Sequence, residues 1–253
     1  MTVFILKIIA IVTMVLDHVA SAFFNSNMVM RTIGRLAFPI YAFLIAEGYY
    51  HIKNNPEKVK KHFIRLFVLT VVSEPIYDLF EEGSFFYWDS QSVMPVLLLG
   101  MMGLMIIERF RDQPVFIGVF CAISAGFTYF AKTNYKLTGV LMIIFFYWFV
   151  SCCREWPVWK KYAVLMVFAK AYLILYNWSR YGFPAWGRLI EMVRSRSYSW
   201  SLIYIVIMLI FALYNGRNGY KNRILNTVYA WFYPAHLLLL ALIGFALGNY
   251  SAP

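Results

Sequence analysis

Long apolar runs separated by short polar segments occupy most of the chain. Because the hydrocarbon core of a bilayer is about 30 Å thick, a helix needs roughly 20 mostly apolar residues to cross it. Runs of about this length recur along the whole sequence, with no polar domain between them. They predict an all-α polytopic membrane bundle, a single domain over residues 1–253, with nine transmembrane helices near residues 2–24, 32–51, 61–80, 93–109, 114–131, 136–153, 160–177, 199–215 and 226–248.

The polar segments between the runs indicate how the helices are oriented. Residues 51–65 and 214–223 are strongly basic, whereas residues 81–92, on the alternate side, are acidic. Since Lys and Arg collect on the cytoplasmic side, we expect a cytoplasmic N-terminus and an outer C-terminus. The segment 178–200 is on the outer side by this count but carries four arginines, so we interpret it as interfacial or re-entrant.

Composition supports the membrane class and excludes a soluble one. Hydrophobic residues make up 62% of the chain and charged residues 14%, and the mean hydropathy is +0.64. The net charge of +11 raises the possibility of a nucleic-acid partner, but the basic residues lie in the short loops, where membrane topology explains them. We therefore expect a lipid bilayer as surroundings, no nucleic-acid partner and no metal site. The three cysteines have no metal-ligand spacing.

Ionisable residues interrupt the first three apolar runs at similar depth. Asp17 and His18 lie near the outer end of the first helix, Arg35 near that end of the second and Glu74 near that end of the third. Charged groups are costly inside a membrane, so they normally face the bundle interior and mark a functional site. The alternative is a structural ion pair, Asp17–Arg35 or Glu74–Arg35, which would account for the charges but not for the histidine.

Two further features place histidines in the bundle. Lys7 and His18 are eleven positions apart, which brings them to one helix face about 16 Å from each other. A lysine that extends to the membrane surface explains Lys7 equally well. In the last helix, Pro234 and His236 fall near the membrane midplane, where a packed core histidine is the commoner situation.

A second set of basic residues lies at the cytoplasmic side. Lys61, Arg65 and Arg217 belong to it, and Arg65 lies a full turn inside the third helix. These groups could surround a polyanionic ligand, although topology signals and lipid headgroups explain most of them equally well. Glu47, near the same end of the second helix, has a simple explanation as a partner for nearby lysines.

The chain resembles the TraX family of bacterial membrane proteins, which is named from a conjugation protein required for N-terminal acetylation of pilin. The resemblance rests on five stretches, in this order: "LKIIAIVTMVLDHVA", "RTIGRLAFPIYAFLIAEGYYH", "RLFVLTVVSEPIYDL", "ALYNGRNG" and "FYPAHLLLL". The family looks related to a broader group of transmembrane acyltransferases, including the acyltransferase-three family and the lysosomal glucosaminide acetyltransferase.

In the acyltransferase-three family, a basic residue, ten intervening positions and a histidine form a catalytic signature in the first helix. Lys7 and His18 match that spacing. Glu47 and Gly48 stand where that family usually has Ser-Gly, so the resemblance assigns Glu47 no role. That family's paired arginines are half matched here, by His62 and Arg65.

The resemblance implies an acyltransferase with His18 as general base. Asp17 or Glu74 would set the pKa and tautomer of the imidazole, and Arg35 would orient that carboxylate or stabilise charge on the thioester oxygen. His236 would be a second donor to the same centre.

The resemblance also implies the partners of the reaction. Acetyl-CoA, or another acyl-CoA, would donate from the cytoplasm, and the acceptor would be a pilin-like peptide, a glycan or a small amine. Basic groups at the cytoplasmic side would hold the nucleotide phosphates, namely Lys7, Lys61, Arg65 and Arg217. The implied location is the bacterial inner membrane, crossed several times.

A proton-coupled membrane transporter is the alternative function. It would use the same buried His, Asp, Glu and Arg side chains, and the proline-interrupted last helix suits it. A non-enzymatic membrane scaffold is a further alternative, but it would need no converging ionisable groups.

Overall fold

The computed structural model describes residues 1–24, 27–181, 197–220 and 222–248. Within these ranges the chain forms ten helices joined by short loops, with an isolated β-bridge between Gln91 and Thr133. The all-α prediction is confirmed. The helices are α1 (Val3–Phe23), α2 (Met28–Gly34), α3 (Ala37–Ile52), α4 (Pro56–Glu82), α5 (Met94–Arg109), α6 (Pro114–Phe130), α7 (Lys136–Cys152), α8 (Val158–Tyr181), α9 (Ser197–Ala212) and α10 (Arg223–Ala246).

Each predicted apolar run coincides with a helix, and the second run divides into α2 and α3 at Arg35 and Leu36. The third helix is longer than predicted because it begins at Pro56, directly after the N-cap Asn55, whose side chain accepts a hydrogen bond from the Lys58 N–H. Most of the segment 178–200, interpreted above as interfacial or re-entrant, lies outside the described residues.

Three helical segments among the described residues are long and apolar enough to cross a membrane by themselves, namely Val3–Phe23, Met28–Ile52 and Ile224–Ala246. Along α1, Ile5, Ile8 and Val12 form an exposed apolar stripe at helical spacing. A surface of this kind is favourable against lipid rather than water. The protein is therefore a membrane protein, while nine crossings and a single domain over 1–253 stay predictions.

The centre of the bundle is α3, which packs against α1, α5 and α7, while α10 packs along α4. Phe43 of α3 stacks on Phe211 of α9 with ring centroids 4.6 Å apart, and it meets the ring of Phe146 of α7 edge-on. Such aromatic pairs stabilise a core beyond their buried area alone. We call the end of the bundle that holds the first turn of α1 the inner end, and the opposite end the outer end.

Loops close both ends of the bundle. At the inner end, the carbonyls of Arg217 and Asn218 accept hydrogen bonds from the N–H groups of Val3 and Phe4, which α1 cannot satisfy internally. Gly219 allows this contact, because it has a φ of +71° and a Cβ atom there would lie 2.7 Å from the Thr2 hydroxyl. The loop before α10 is thereby fixed to the start of α1.

At the outer end, the loop before α5 is tied to the loop before α7. Lys132 forms an ion pair with Asp89, and the Asn134 amide donates to the Gln91 carbonyl at 3.3 Å and to the Tyr77 hydroxyl at 3.1 Å. These contacts hold both loops over the outer ends of α1, α2 and α4.

Candidate functional site

A cavity of about 200 Å³ opens at the outer end of the bundle, and we call it the outer cavity. Its walls come from α1, α2, α3, α4, α5 and α10 and from the two loops of the outer end. Three of the predicted catalytic residues, Asp17, His18 and Arg35, line it. The polar side chains that line it besides these are Arg31, Tyr41, Tyr77, Glu81, Ser90, Asn134, Tyr135 and Tyr233.

His18 is half-buried in the wall of the outer cavity and is hydrogen-bonded to a second histidine behind it. Its Nδ1 lies 2.7 Å from Nε2 of His236, and the two rings stack with centroids 5.0 Å apart. Nδ1 of His236 lies 2.8 Å from the carbonyl oxygen of Phe232, one turn earlier in α10. The structure thus brings together the histidines of the first and last helices, which the sequence placed at different depths.

Asp17 pairs with a residue that the sequence interpretation missed. Arg35 acts electrostatically on the Asp17 carboxylate, and Oδ1 of Asp17 lies 3.3 Å from Nη1 of Arg31. The Arg31 guanidinium also lies 3.5 Å from the Asp17 carbonyl oxygen. Arg35 caps the end of α2 and lines the cavity, because the chain breaks there between α2 and α3. The sequence could have identified Arg31, because it lies one helical turn before Arg35 and therefore on the same helix face.

The close approach of α1 and α2 depends on Gly34. A Cβ atom at this position would lie 2.3 Å from the Cβ of Asp17, so any larger residue would push the two helices apart. The glycine thereby allows Asp17 and Arg31 to meet at the cavity wall.

Glu74 does not line the outer cavity, and the prediction that it belongs to the same cluster is wrong in this respect. One carboxylate oxygen accepts a hydrogen bond from the Ser92 hydroxyl at 2.5 Å, and the other accepts from the Ser92 N–H at 3.1 Å. Ser92 in turn accepts from the Met94 N–H, the first residue of α5. A carboxylate is favourable at the start of a helix, because the backbone N–H groups there lack partners.

Glu81 lies on the same face of α4 as Glu74, about two turns further out, and it lines the cavity instead. The sequence interpretation assigned it to an acidic loop. Its spacing of seven residues from Glu74, within a longer helix, is the signal that could have identified it.

A second cavity, of about 270 Å³, lies between α1 and α10 towards the inner end, and we call it the inner cavity. Lys7 lines it, donating a hydrogen bond to the Asn226 amide oxygen at 2.9 Å and lying 4.8 Å from the centre of the Tyr229 ring. On α4, Arg65 lies 2.9 Å from His62 Nδ1, and both residues interact electrostatically with Lys7. We call Lys7 and Arg65 the basic cluster, and its role in binding phosphates stays a prediction.

Lys61 and Arg217 do not line the inner cavity, although Asn218, next to Arg217, does. Lys61 lies in a shallow surface groove with Lys58 and Lys60. Arg217 is exposed in the loop before α10, where its backbone carbonyl binds the start of α1. The predicted set of four phosphate-binding residues thus divides into two that share a location and two at separate surface positions.

Two tyrosines separate the cavities. Tyr41 of α3 lines the outer cavity and Tyr229 of α10 lines the inner one, and their ring centroids lie 6.2 Å apart. The basic cluster therefore adjoins the cavity on one side of this tyrosine pair, and the histidine pair adjoins the cavity on the other side. Among the described residues, no group of three His, Cys, Asp or Glu side chains is arranged to hold a metal ion.

These features define the class of the protein, an all-α membrane protein with a polar, histidine-containing cavity at one end of the bundle. The chain belongs to the TraX protein family, whose model matches residues 3–244. It is similar to the probable fimbrial assembly protein FimC, serogroup H1, of Dichelobacter nodosus, with 28% identity over 155 residues. That match covers 57% of this chain and 62% of the relative, so the chain matches less than two thirds of that protein's length. No solved structure matches the chain.

Proposed function

We propose that this protein is a membrane-embedded acyltransferase that moves an acetyl or other acyl group from acyl-CoA to an amine or hydroxyl acceptor. The observation that carries the proposal is the half-buried His18 imidazole, which lines a polar cavity together with Arg35 and the Asp17–Arg31 pair. A base of this kind beside fixed positive charge is what attack on a thioester carbonyl requires.

His18 acts as the general base in this proposal. As the acceptor nitrogen or oxygen attacks the carbonyl carbon of the thioester, Nε2 of His18 takes its proton. The tetrahedral intermediate then collapses, the carbon–sulfur bond breaks, and the departing thiolate recovers that proton from the imidazolium. Each bond and proton is accounted for without a further reactant.

The charged residues of the outer cavity have separate roles. Arg35 stabilises the negative charge that develops on the carbonyl oxygen, since a guanidinium partly shielded from bulk water favours an oxyanion strongly. The carboxylate of Asp17 fixes Arg31 at the cavity wall through their ion pair. Glu81, on the α4 side, offers a negative charge or a hydrogen-bond acceptor to the neutral amine or hydroxyl of the acceptor.

The donor enters from the inner end of the bundle. Lys7 and Arg65 attract its phosphates, and the inner cavity provides a path along α1 for the thioester arm. Lys7 and His18 are about 16 Å apart along the helix, so an extended arm is needed to bridge them. The thioester reaches His18 when Tyr41 and Tyr229 separate.

The proposed location follows from the same arrangement. The protein crosses the bacterial inner membrane several times, acyl-CoA approaches from the cytoplasm, and the acceptor approaches the outer cavity. A pilin or fimbrial subunit is the proposed acceptor class, because the relative in Dichelobacter nodosus is named as a fimbrial assembly protein. A glycan or a small amine would use the same catalytic residues.

The test is thiol release from acetyl-CoA by the purified full-length protein, with a short peptide carrying a free amino terminus as acceptor. We expect His18→Gln to lower turnover about 10²–10⁴-fold, the usual cost of losing a general base, with acetyl-CoA binding retained. Arg65→Gln should have the opposite effect, weaker binding with the chemical step preserved. His51→Gln, at an exposed histidine of the inner end, is the matched control.

A folded His18→Gln protein with near wild-type turnover would exclude the base role. If the protein in liposomes releases no thiol with peptide, sugar or small-amine acceptors but carries protons across the membrane, the transporter function replaces the acyltransferase.

A further inference from the structure

His236 contacts the histidine of the outer cavity without reaching the cavity itself. It is 7% exposed, and its ring lies between the aromatic rings of Phe232 and Tyr233 and the imidazole of His18. The residues that line the outer cavity include His18 but not His236. His236 can therefore affect chemistry in the cavity only through residues that line it, and His18 is the one to which it is hydrogen-bonded.

The hydrogen bonds fix the positions of the protons on both rings. The carbonyl oxygen of Phe232 can only accept, so Nδ1 of His236, 2.8 Å away, carries a proton and donates it. A neutral imidazole has a single N–H, which leaves a lone pair on Nε2 of His236. Nδ1 of His18, 2.7 Å from that lone pair, must then donate. Nε2 of His18 is consequently the nitrogen with a free lone pair.

The other arrangements of protons are unfavourable here. With the proton of His236 on Nε2, its Nδ1 lone pair would face the Phe232 carbonyl oxygen, which is repulsive. A doubly protonated His236 would place a cation in a buried position among aromatic rings. Among its described contacts no carboxylate offsets that charge. The neutral pair is the arrangement that satisfies every contact.

We infer that His236 is a positioning residue that holds His18 in the tautomer with a proton on Nδ1 and a free lone pair on Nε2. This inference rests on the proposed function, in which Nε2 of His18 is the general base. The resemblance implied that His236 is a second donor to the reacting centre. In this inference His236 instead accepts a hydrogen bond from Nδ1 of His18. The α10 backbone contributes directly, because the Phe232 carbonyl sets the tautomer of His236.

A kinetic test separates positioning from general structural support. His236→Leu keeps the side chain at a similar size but removes the acceptor, and we expect kcat to fall about 10²–10⁴-fold, as in other enzymes whose base takes the wrong tautomer. The KM for acetyl-CoA should stay within about threefold, because the donor phosphates bind at the inner end. His236→Gln offers an amide oxygen near the former Nε2 and should recover part of kcat. A purely structural role would instead lower the melting temperature of both variants without this rescue.

A spectroscopic test does not depend on activity. In protein labelled with ¹⁵N at its four histidines, the His18 signals are those lost in His18→Gln. We expect the wild-type His18 spectrum to show a protonated Nδ1 and an unprotonated Nε2, and His236→Leu to shift it towards a mixture of tautomers. A wild-type His18 protonated at Nε2, or unchanged kcat in His236→Leu, would overturn the inference. Absence of acyl transfer by the wild type would overturn the proposed function, while the tautomer measurement would still decide the role of His236.

Discussion

At the scale of single residues, the environment of Asp17 depends on the missing side chain of Gly34. Asp17 is partly buried, and its side chain exposes 18% of its surface beside the outer cavity. Arg31 can reach it because the backbone of α2 approaches α1 so closely. A buried carboxylate is tolerated where an opposite charge and hydrogen-bond donors are held in place. The glycine is therefore part of the site, although it offers no functional group.

We predict that Gly34→Ala lowers both stability and turnover. A methyl group would overlap the Asp17 side chain and backbone, and overpacking of this kind typically costs about 1–3 kcal/mol. Gly48→Ala is the matched control, because a Cβ there meets nothing within 4 Å and alanine favours a helix. Thermal unfolding in detergent and thiol release measure the two effects. Equal behaviour of the two variants would show that the α1–α2 contact is looser than described.

At the scale of secondary-structure elements, polar side chains fix neighbouring helices relative to each other. The apolar pattern of each helix does not determine this relative orientation. Glu74 connects α4 to the start of α5 through Ser92, and Asp78 of α4 accepts from the Tyr87 N–H in the loop between them. Both carboxylates accept hydrogen bonds from backbone N–H groups of the α4–α5 loop, and Glu74 also accepts one from a hydroxyl there. The outer ends of α4 and α5 are thereby fixed relative to each other, and the cavity wall with them.

We predict that Glu74 affects stability more than catalysis. Glu74→Ala leaves the Ser92 N–H without its acceptor, and a buried donor left unpaired costs about 1–3 kcal/mol. Turnover at a temperature where the variant is folded should stay close to wild type. Glu82→Ala, at an exposed glutamate on the same helix, should change neither property and serves as control. A large loss of kcat in folded Glu74→Ala would return this residue to the catalytic group.

At the scale of the whole molecule, the two cavities open towards opposite ends of the bundle. The inner one adjoins the basic cluster of Lys7 and Arg65, and the outer one adjoins the histidine pair. A membrane around the bundle would then separate a polyanionic donor from an acceptor on the other side. The basic loops at the inner end agree with a cytoplasmic orientation of that end.

We predict that the first turn of α4, which holds Lys58, faces the cytoplasm and that the loop holding Ser84 faces outwards. In a variant lacking Cys121, Cys152 and Cys153, a membrane-impermeant maleimide should label Ser84→Cys in intact cells. Lys58→Cys should become labelled only after the membrane is opened. Both native positions are exposed, so access decides the result. Labelling of both from the same side would contradict the orientation and the donor path.

The sequence by itself indicated the class, the approximate bounds of the helices and several residues of the candidate site. Apolar runs of bilayer length form helices because the backbone must satisfy its own hydrogen bonds in lipid, so these bounds follow from local composition, except that the second run divides into α2 and α3. Ionisable groups are costly in hydrocarbon, so Asp17, His18 and Arg35 indicated the candidate site. These are properties of single residues and single helices, and they do not require knowledge of how the helices pack.

Only the tertiary structure decided which of these groups meet. Arg31 pairs with Asp17, Glu81 rather than Glu74 lines the cavity, and His236 approaches His18 from 218 positions away. These contacts depend on the rotation and close approach of neighbouring helices, which are set by packing at Gly34 and by the Ser92 connection. A helical pattern gives the depth of a residue along its own axis, but packing between helices fixes the direction in which that residue points.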